Sequence, residues 1–137
     1  MKVKSAIVVA ALGLITALPA IAHHSFGAEF DENKPIELKG VVTKVEWQNP
    51  HVYFYVDVKD SNGATVNWGL ETDSPGGLIR RGWTHTSLKV GDQVTVKGYV
   101  AKDGSHLADA RLVTLPDGRK VYGGTAGDGG PGDPGGN

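Results

Sequence analysis

Two adjacent histidines, His23 and His24, stand directly behind the small-residue run Ala20-Ile21-Ala22. If a leader is cut after Ala22, His23 becomes the first residue. It then offers an α-amine beside its own imidazole, a chelating pair that no internal histidine possesses. His24 adds a second ring. Nitrogen donors of this kind suit tetragonal copper(II), and first-row affinities peak at copper. His51, directly after Asn49-Pro50, is the best-placed internal partner, with His85 and His106 as the others. The expected metal ligands are therefore His23, His24 and His51, and the expected cofactor is copper. The plainer alternative makes His23 and His24 a polar, frayed terminus. His51 would then only fix its turn by a hydrogen bond.

Tyr53 and Tyr55 form a second constellation. They alternate with Val52, Phe54 and Val56 and so share the opposite face of one strand. Such rings can stack on a sugar, a base or a partner protein. Nucleic acid is not expected. Removing Lys2 and Lys4 with a leader leaves 12 basic residues against 15 acidic ones, a formal charge of −3, which provides no positive groove for a polyanion. The alternative packs the two tyrosines against the amino-terminal segment, where Phe26 and Phe30 also need burial. Arg80-Arg81 beside Trp83 could grip an anion, but arginines ending a short helix more often cover its carbonyl end and stay solvated. With no cysteine, thiolate ligands, disulfides and thiol nucleophiles are excluded. No spacing joins a nucleophile to a base, so the sequence asks for no enzyme.

The elements that must position these residues are mostly strands. Ile36 to Trp47 begins in period two; after Gly40 its apolar set becomes Val41, Val45 and Trp47, a slip of phase that predicts a bulge or bend at the glycine. His51 to Val58 and Thr65 to Glu71 alternate cleanly around the turn Asp60-Ser61-Asn62-Gly63. Ser74-Pro75 opens a short helix that Gly82 can end. A fourth strand carries Val94, Val96 and Val100, and "HLADARLVTL" is the fifth. The expected fold is all-β: a small five-stranded OB-like barrel with one short helix between strands 3 and 4. A five-stranded open sandwich is the alternative.

Residues 1–22 carry the positive, apolar and small-residue regions of a secretory signal. Their apolar run is shorter than the roughly 20 residues of a membrane span. The expected organisation is a signal peptide over 1–22, the barrel domain over 23–122 and a disordered glycine-rich tail over 123–137. The mature chain would be periplasmic or secreted, with no membrane span.

The runs "HHSFGAEFDENKPIELKGVVTKVEWQNPHVYFYVDV", "SPGGLIRRGW", "SLKVGDQVTVKGY" and "LPDGRKV" resemble a family of small exported bacterial proteins catalogued only as a domain of unknown function. The resemblance covers His23 to about Val121 and implies export and a small β-barrel. It implies no activity. Two functions stay open: a copper-binding protein built on its mature terminus, or an interaction module that docks a partner protein, glycan or other ligand on the face of Tyr53 and Tyr55.

Overall fold

One long strand organises the molecule. In the computed structural model, which describes residues 26–125, 128–130 and 132–133, a single helical turn, α1 (Phe26–Glu29), leads into β1 (Phe30–Glu46). There follow β2 (Tyr53–Lys59), β3 (Thr65–Glu71), α2 (Pro75–Arg80), β4 (Gln93–Ala101), β5 (Leu107–Thr114) and β6 (Lys120–Tyr122). The protein is all-β, with six strands where the sequence predicts five. The additional strand, β6, is three residues long and pairs with the end of β5.

The sheet order is β3-β2-β1-β4-β5-β6, and β3 also pairs with β5. That last ladder is parallel and sets Gly69 against Leu107 and Glu71 against Asp109. Every other ladder is antiparallel. Successive pairings therefore run from β1 through β2, β3, β5 and β4 back to β1. Leu38, Val42, Phe54, Val56, Leu70, Val94, Val96 and Val113 point into this assembly and make its core with Leu78 and Trp83. Burial of such side chains is worth about 1.5–3 kcal/mol each.

The bend in β1 differs from the expectation. Val41 is 39% exposed while Val42 is 1% exposed, so the core face continues unbroken from Leu38 through Gly40 to Val42. Val42 pairs with Val56 and Lys44 with Tyr55, which leaves Thr43 as the extra residue. The bulge is at Thr43, and the slip in apolar phase begins there. Gly40 has another role. It pairs with Val58 on one side and Val94 on the other, and a Cβ on it would stand 2.4 Å from the Asp57 carbonyl oxygen. Backbone cannot yield as a side chain can. Gly40→Val is expected to lower unfolding free energy in urea by about 1–3 kcal/mol, and an unchanged midpoint would remove the close approach as its reason for being glycine.

The helix forms as the sequence predicts. Ser74 Oγ accepts from Gly77 N at 3.1 Å, Pro75 occupies the first turn, and Gly82 at φ 88° follows the end. Arg81 departs from its solvated reading. Its Nη2 donates to Asp73 Oδ2 at 2.6 Å, and its guanidinium lies over the Tyr122 ring. Trp83 Nε1 donates to Tyr122 O at 2.8 Å, tying the segment after α2 to β6. The tail expected to be disordered is described at 123–125, 128–130 and 132–133; there Gly123 and Gly124 are buried and Tyr122 Oη donates to Gly129 O at 3.1 Å. The signal expected over 1–22 lies outside the described residues. Among the described residues no helix is long and apolar enough to cross a membrane.

Candidate metal-site cavity

A bulge builds the first wall of the site. Lys97 pairs with Leu112 and Gly98 with Ala110, leaving Arg111 as the extra residue of β5. The bulge suspends the alternation, so Ala108, Asp109, Ala110 and Arg111 are all buried. Arg111 is 0% exposed. Its Nε lies 2.7 Å from Asp109 Oδ1 and its Nη1 3.6 Å from Asp128 Oδ2. Nη1 also donates to Tyr122 Oη at 3.1 Å. The Nε–Oδ1 pair is out of line for a hydrogen bond, and Nη2 has no acceptor; the attraction there is Coulombic. The guanidinium lies 4.2 Å from the centre of the Phe26 ring, a cation–π contact that fixes the residue opening the described chain. Phe26 also stacks on Phe30 at 5.9 Å and meets Tyr99 edge-on at 5.5 Å.

The parallel ladder builds the second wall. Because Glu71 and Asp109 are register partners, two carboxylates stand side by side, an arrangement that costs energy between adjacent strands. Tyr53 Oη donates to Glu71 Oε2. His51 Nδ1 lies 3.7 Å from Glu71 Oε1 and 2.8 Å from Thr72 O. A carbonyl only accepts, so Nδ1 carries the proton in this bond. Between these groups is a cavity of about 30 Å³, bounded by Phe26, Phe30, His51, Glu71, Thr72, Asp109, Thr125 and Asp128. It is the size of one water molecule or one ion. Burial, reinforced by the Glu71 and Asp128 charges, pushes the Asp109 carboxyl up to about 7 against the pull of Arg111. Burial and the Glu71 contact raise the Tyr53 phenol as well, so it stays a donor.

The sequence-derived candidates separate here. His23 and His24 lie outside the described residues. His51 is in the cavity wall, and Tyr53 reaches it through Glu71. Tyr55 does not: its hydroxyl donates to Glu46 Oε2 at 3.1 Å, Lys44 lies over its ring, and Gly69 lies beneath it. His85 packs on Trp47 and His106 on Trp68, and neither lines the cavity. Glu71, Asp109, Arg111 and Asp128 are the residues that sequence reasoning missed. The available signal was Asp109 and Arg111 themselves, two opposite charges in an otherwise apolar strand. Among the described residues, no three His, Asp or Glu side chains already stand as a set that could hold a metal ion. A larger concavity, about 1150 Å³, opens along β1 around Gly40. It is lined by Lys39, Val41, Asp57, Lys59, Gln93 and Thr95 among others, with none of the candidate ligands.

Residues 12–109 match the sequence model of a family of unknown function, DUF6152. No curated protein matches the chain.

Proposed function

We propose the following function for this chain, which belongs to the DUF6152 family of unknown function: it is an exported protein that binds copper through the histidines of its mature amino terminus together with His51. In this reading the leader is cut after Ala22, the protein acts in the periplasm or medium, and the sheet is an OB-like barrel extended by β6. The protein binds its ligand without transforming it.

The observation that carries the reading is the shared wall of Phe26 and His51. His24 is two residues ahead of Phe26, within about 7 Å along an extended chain, which leaves it within reach of the wall that His51 shares. His23 would supply ring and amine. These are borderline nitrogen donors, which favour copper over zinc and leave calcium to oxygen sites. Glu71 borders the same cavity, and a bound cation would draw the proton from Asp109 beside it.

Metal-free mature protein titrated with copper(II), zinc(II) and calcium(II) is expected to bind one copper per chain, more tightly than zinc, and to ignore calcium. Affinity should fall with falling pH, because each imidazole must lose its proton to bind. One alanine added before His23 should weaken copper binding at least about tenfold, since second-sphere and ligand losses in metal sites run to 10–100-fold. His51→Ala should weaken it as well. Equal binding by the native and extended chains would sink the reading. The β2 face with Tyr55, as a dock for a partner protein or glycan, would then be the better explanation.

A further inference from the structure

We infer that Asn62 is the site of spontaneous covalent modification in this protein. Its side-chain amide is converted to aspartate and isoaspartate through the main-chain nitrogen of Gly63, at a rate that Asp60 holds back.

The reaction needs a carboxamide one residue ahead of a main-chain N–H, and an unshielded approach to that nitrogen. Of the described asparagines, Asn49 precedes Pro50, whose nitrogen has no proton to lose. Asn67 precedes Trp68 inside β3, and its amide donates to Thr43 Oγ1 at 3.1 Å and to Asp57 Oδ1 at 2.8 Å. Asn33 precedes Lys34 within β1. Asn62 is followed by a glycine. It is exposed at the tip of the β2–β3 hairpin, and nothing lies within 4 Å of where a Cβ would stand on Gly63. Solvent base takes the Gly63 amide proton, and the nitrogen attacks Asn62 Cγ. The Cγ–Nδ2 bond breaks, and ammonia leaves with a proton from water. Water then opens the cyclic imide. Attack at Cγ leaves aspartate; attack at the main-chain carbonyl leaves isoaspartate, with a methylene added to the main chain.

The turn that presents Asn62 also restrains it. Gly63, at φ 80°, donates its N–H to Asp60 O at 3.0 Å, so the attacking nitrogen is already engaged. Asp60 Oδ1 accepts from Asn62 N at 2.8 Å and from Ala64 N at 2.9 Å. One carboxylate thus fixes the main chain on both sides of the reacting bond, and conversion waits on local opening. Isoaspartate lengthens a connection whose length sets the register of Lys59 against Thr65. Both residues line the larger concavity, so that wall is the part of the molecule that changes with age.

The test is incubation of the folded protein in warm, mildly alkaline buffer, followed by peptide mapping. The tryptic peptide Asp60–Arg80 contains both Asn62 and Asn67, so fragment spectra compare the two in one molecule. Asn62 should gain the mass difference between amide and acid, and isoaspartyl methyltransferase should label the product, while Asn33 and Asn67 stay amides. Asp60→Ala should convert about three- to tenfold faster, because the bonds to its carboxylate hold the turn closed. Wild type unfolded in guanidinium should convert at least as fast as that variant. Conversion of Asn33 or Asn67 ahead of Asn62 overturns the site, as does a folded Asn62 that stays intact while the unfolded chain converts. Equal rates in folded and unfolded wild type overturn the restraint, as does Asp60→Ala at the wild-type rate. If Asp60→Ala loses the hairpin, the folded-against-unfolded comparison decides.

Discussion

Gly98→Ala is expected to cost at least about 3 kcal/mol, or to prevent folding. Overpacking a well-filled interior usually costs about 1–3 kcal/mol, when side chains can move aside. Here they are not what is met. A Cβ on Gly98 would stand 1.8 Å from the Asp109 carbonyl oxygen, closer than any real contact. Gly98 pairs with Ile36 on β1 and Ala110 on β5, and the β5 bulge begins at this point. Relief would need β4 or β5 to shift, which would break a ladder or move Arg111. Gly69→Ala is the matched control. Its Cβ would meet Leu107 Cδ1 at 3.2 Å and Tyr55 Cε1 at 3.4 Å, both on side chains that can turn, and its cost should stay below about 1.5 kcal/mol. Urea unfolding of both variants checks the pair. Similar midpoints would show that backbone approach at Gly98 does not constrain the sheet.

Removing the guanidinium is the second large effect. Arg111→Met keeps much of the buried volume and discards the charge. Above neutral pH, where the wild-type Asp109 carboxyl is ionised, it would then be left in the interior beside Glu71 and Asp128 with no cation, a loss of up to about 3–5 kcal/mol for buried pairs broken on one side. At lower pH the carboxyl takes up a proton and the loss shrinks. Phe26 would also lose the ring contact that holds it at 4.2 Å. Adding Asp109→Asn should restore part of the stability, because the stranded carboxylate is gone, and the cycle should show coupling above about 1 kcal/mol. An Arg111→Met protein within 1 kcal/mol of wild type would make Arg111 a spacer. The same carboxyl gives the wild type a pH slope. With its pKa pushed up to about 7, folded Asp109 holds a proton that the unfolded chain has released. This contribution is full below the ordinary carboxylate range and is lost as pH rises towards 7.

Much of the scaffold could be read from single segments. Val66, Trp68 and Leu70 alternate as β3 does; Ser74, Pro75 and Gly82 delimit α2; Val94 and Val96 point inward as their spacing says. These features are local, so one window of sequence contains their cause. The bulges at Thr43 and Arg111 are not local in that sense. Each is defined by the strand opposite, and in the sequence alone the slip in β1 coincides with a glycine that attracts the blame. The short elements α1 and β6 owe their form to tertiary contacts, through Phe26 on Arg111 and Trp83 on Tyr122. The candidate site was half legible. His51 showed in the sequence because a histidine after Asn-Pro is conspicuous. Glu71 and Asp109 did not, since nothing short of the β3–β5 register makes them neighbours.

That register also dictates when the molecule can become stable. Gly69 N donates to His106 O at 2.9 Å, and Glu71 meets Asp109, yet α2 and all of β4 lie between these segments in the chain. Loop entropy must be overcome before the pairing returns anything. A chain that has made β1, β2 and β3 still has two open edges and no Ala108, Ala110 or Val113 against which to bury Leu70. The final strands are therefore expected to bring the whole sheet to stability in one cooperative step, and the amides of Gly69 and Leu70 to exchange with solvent only when the entire domain opens.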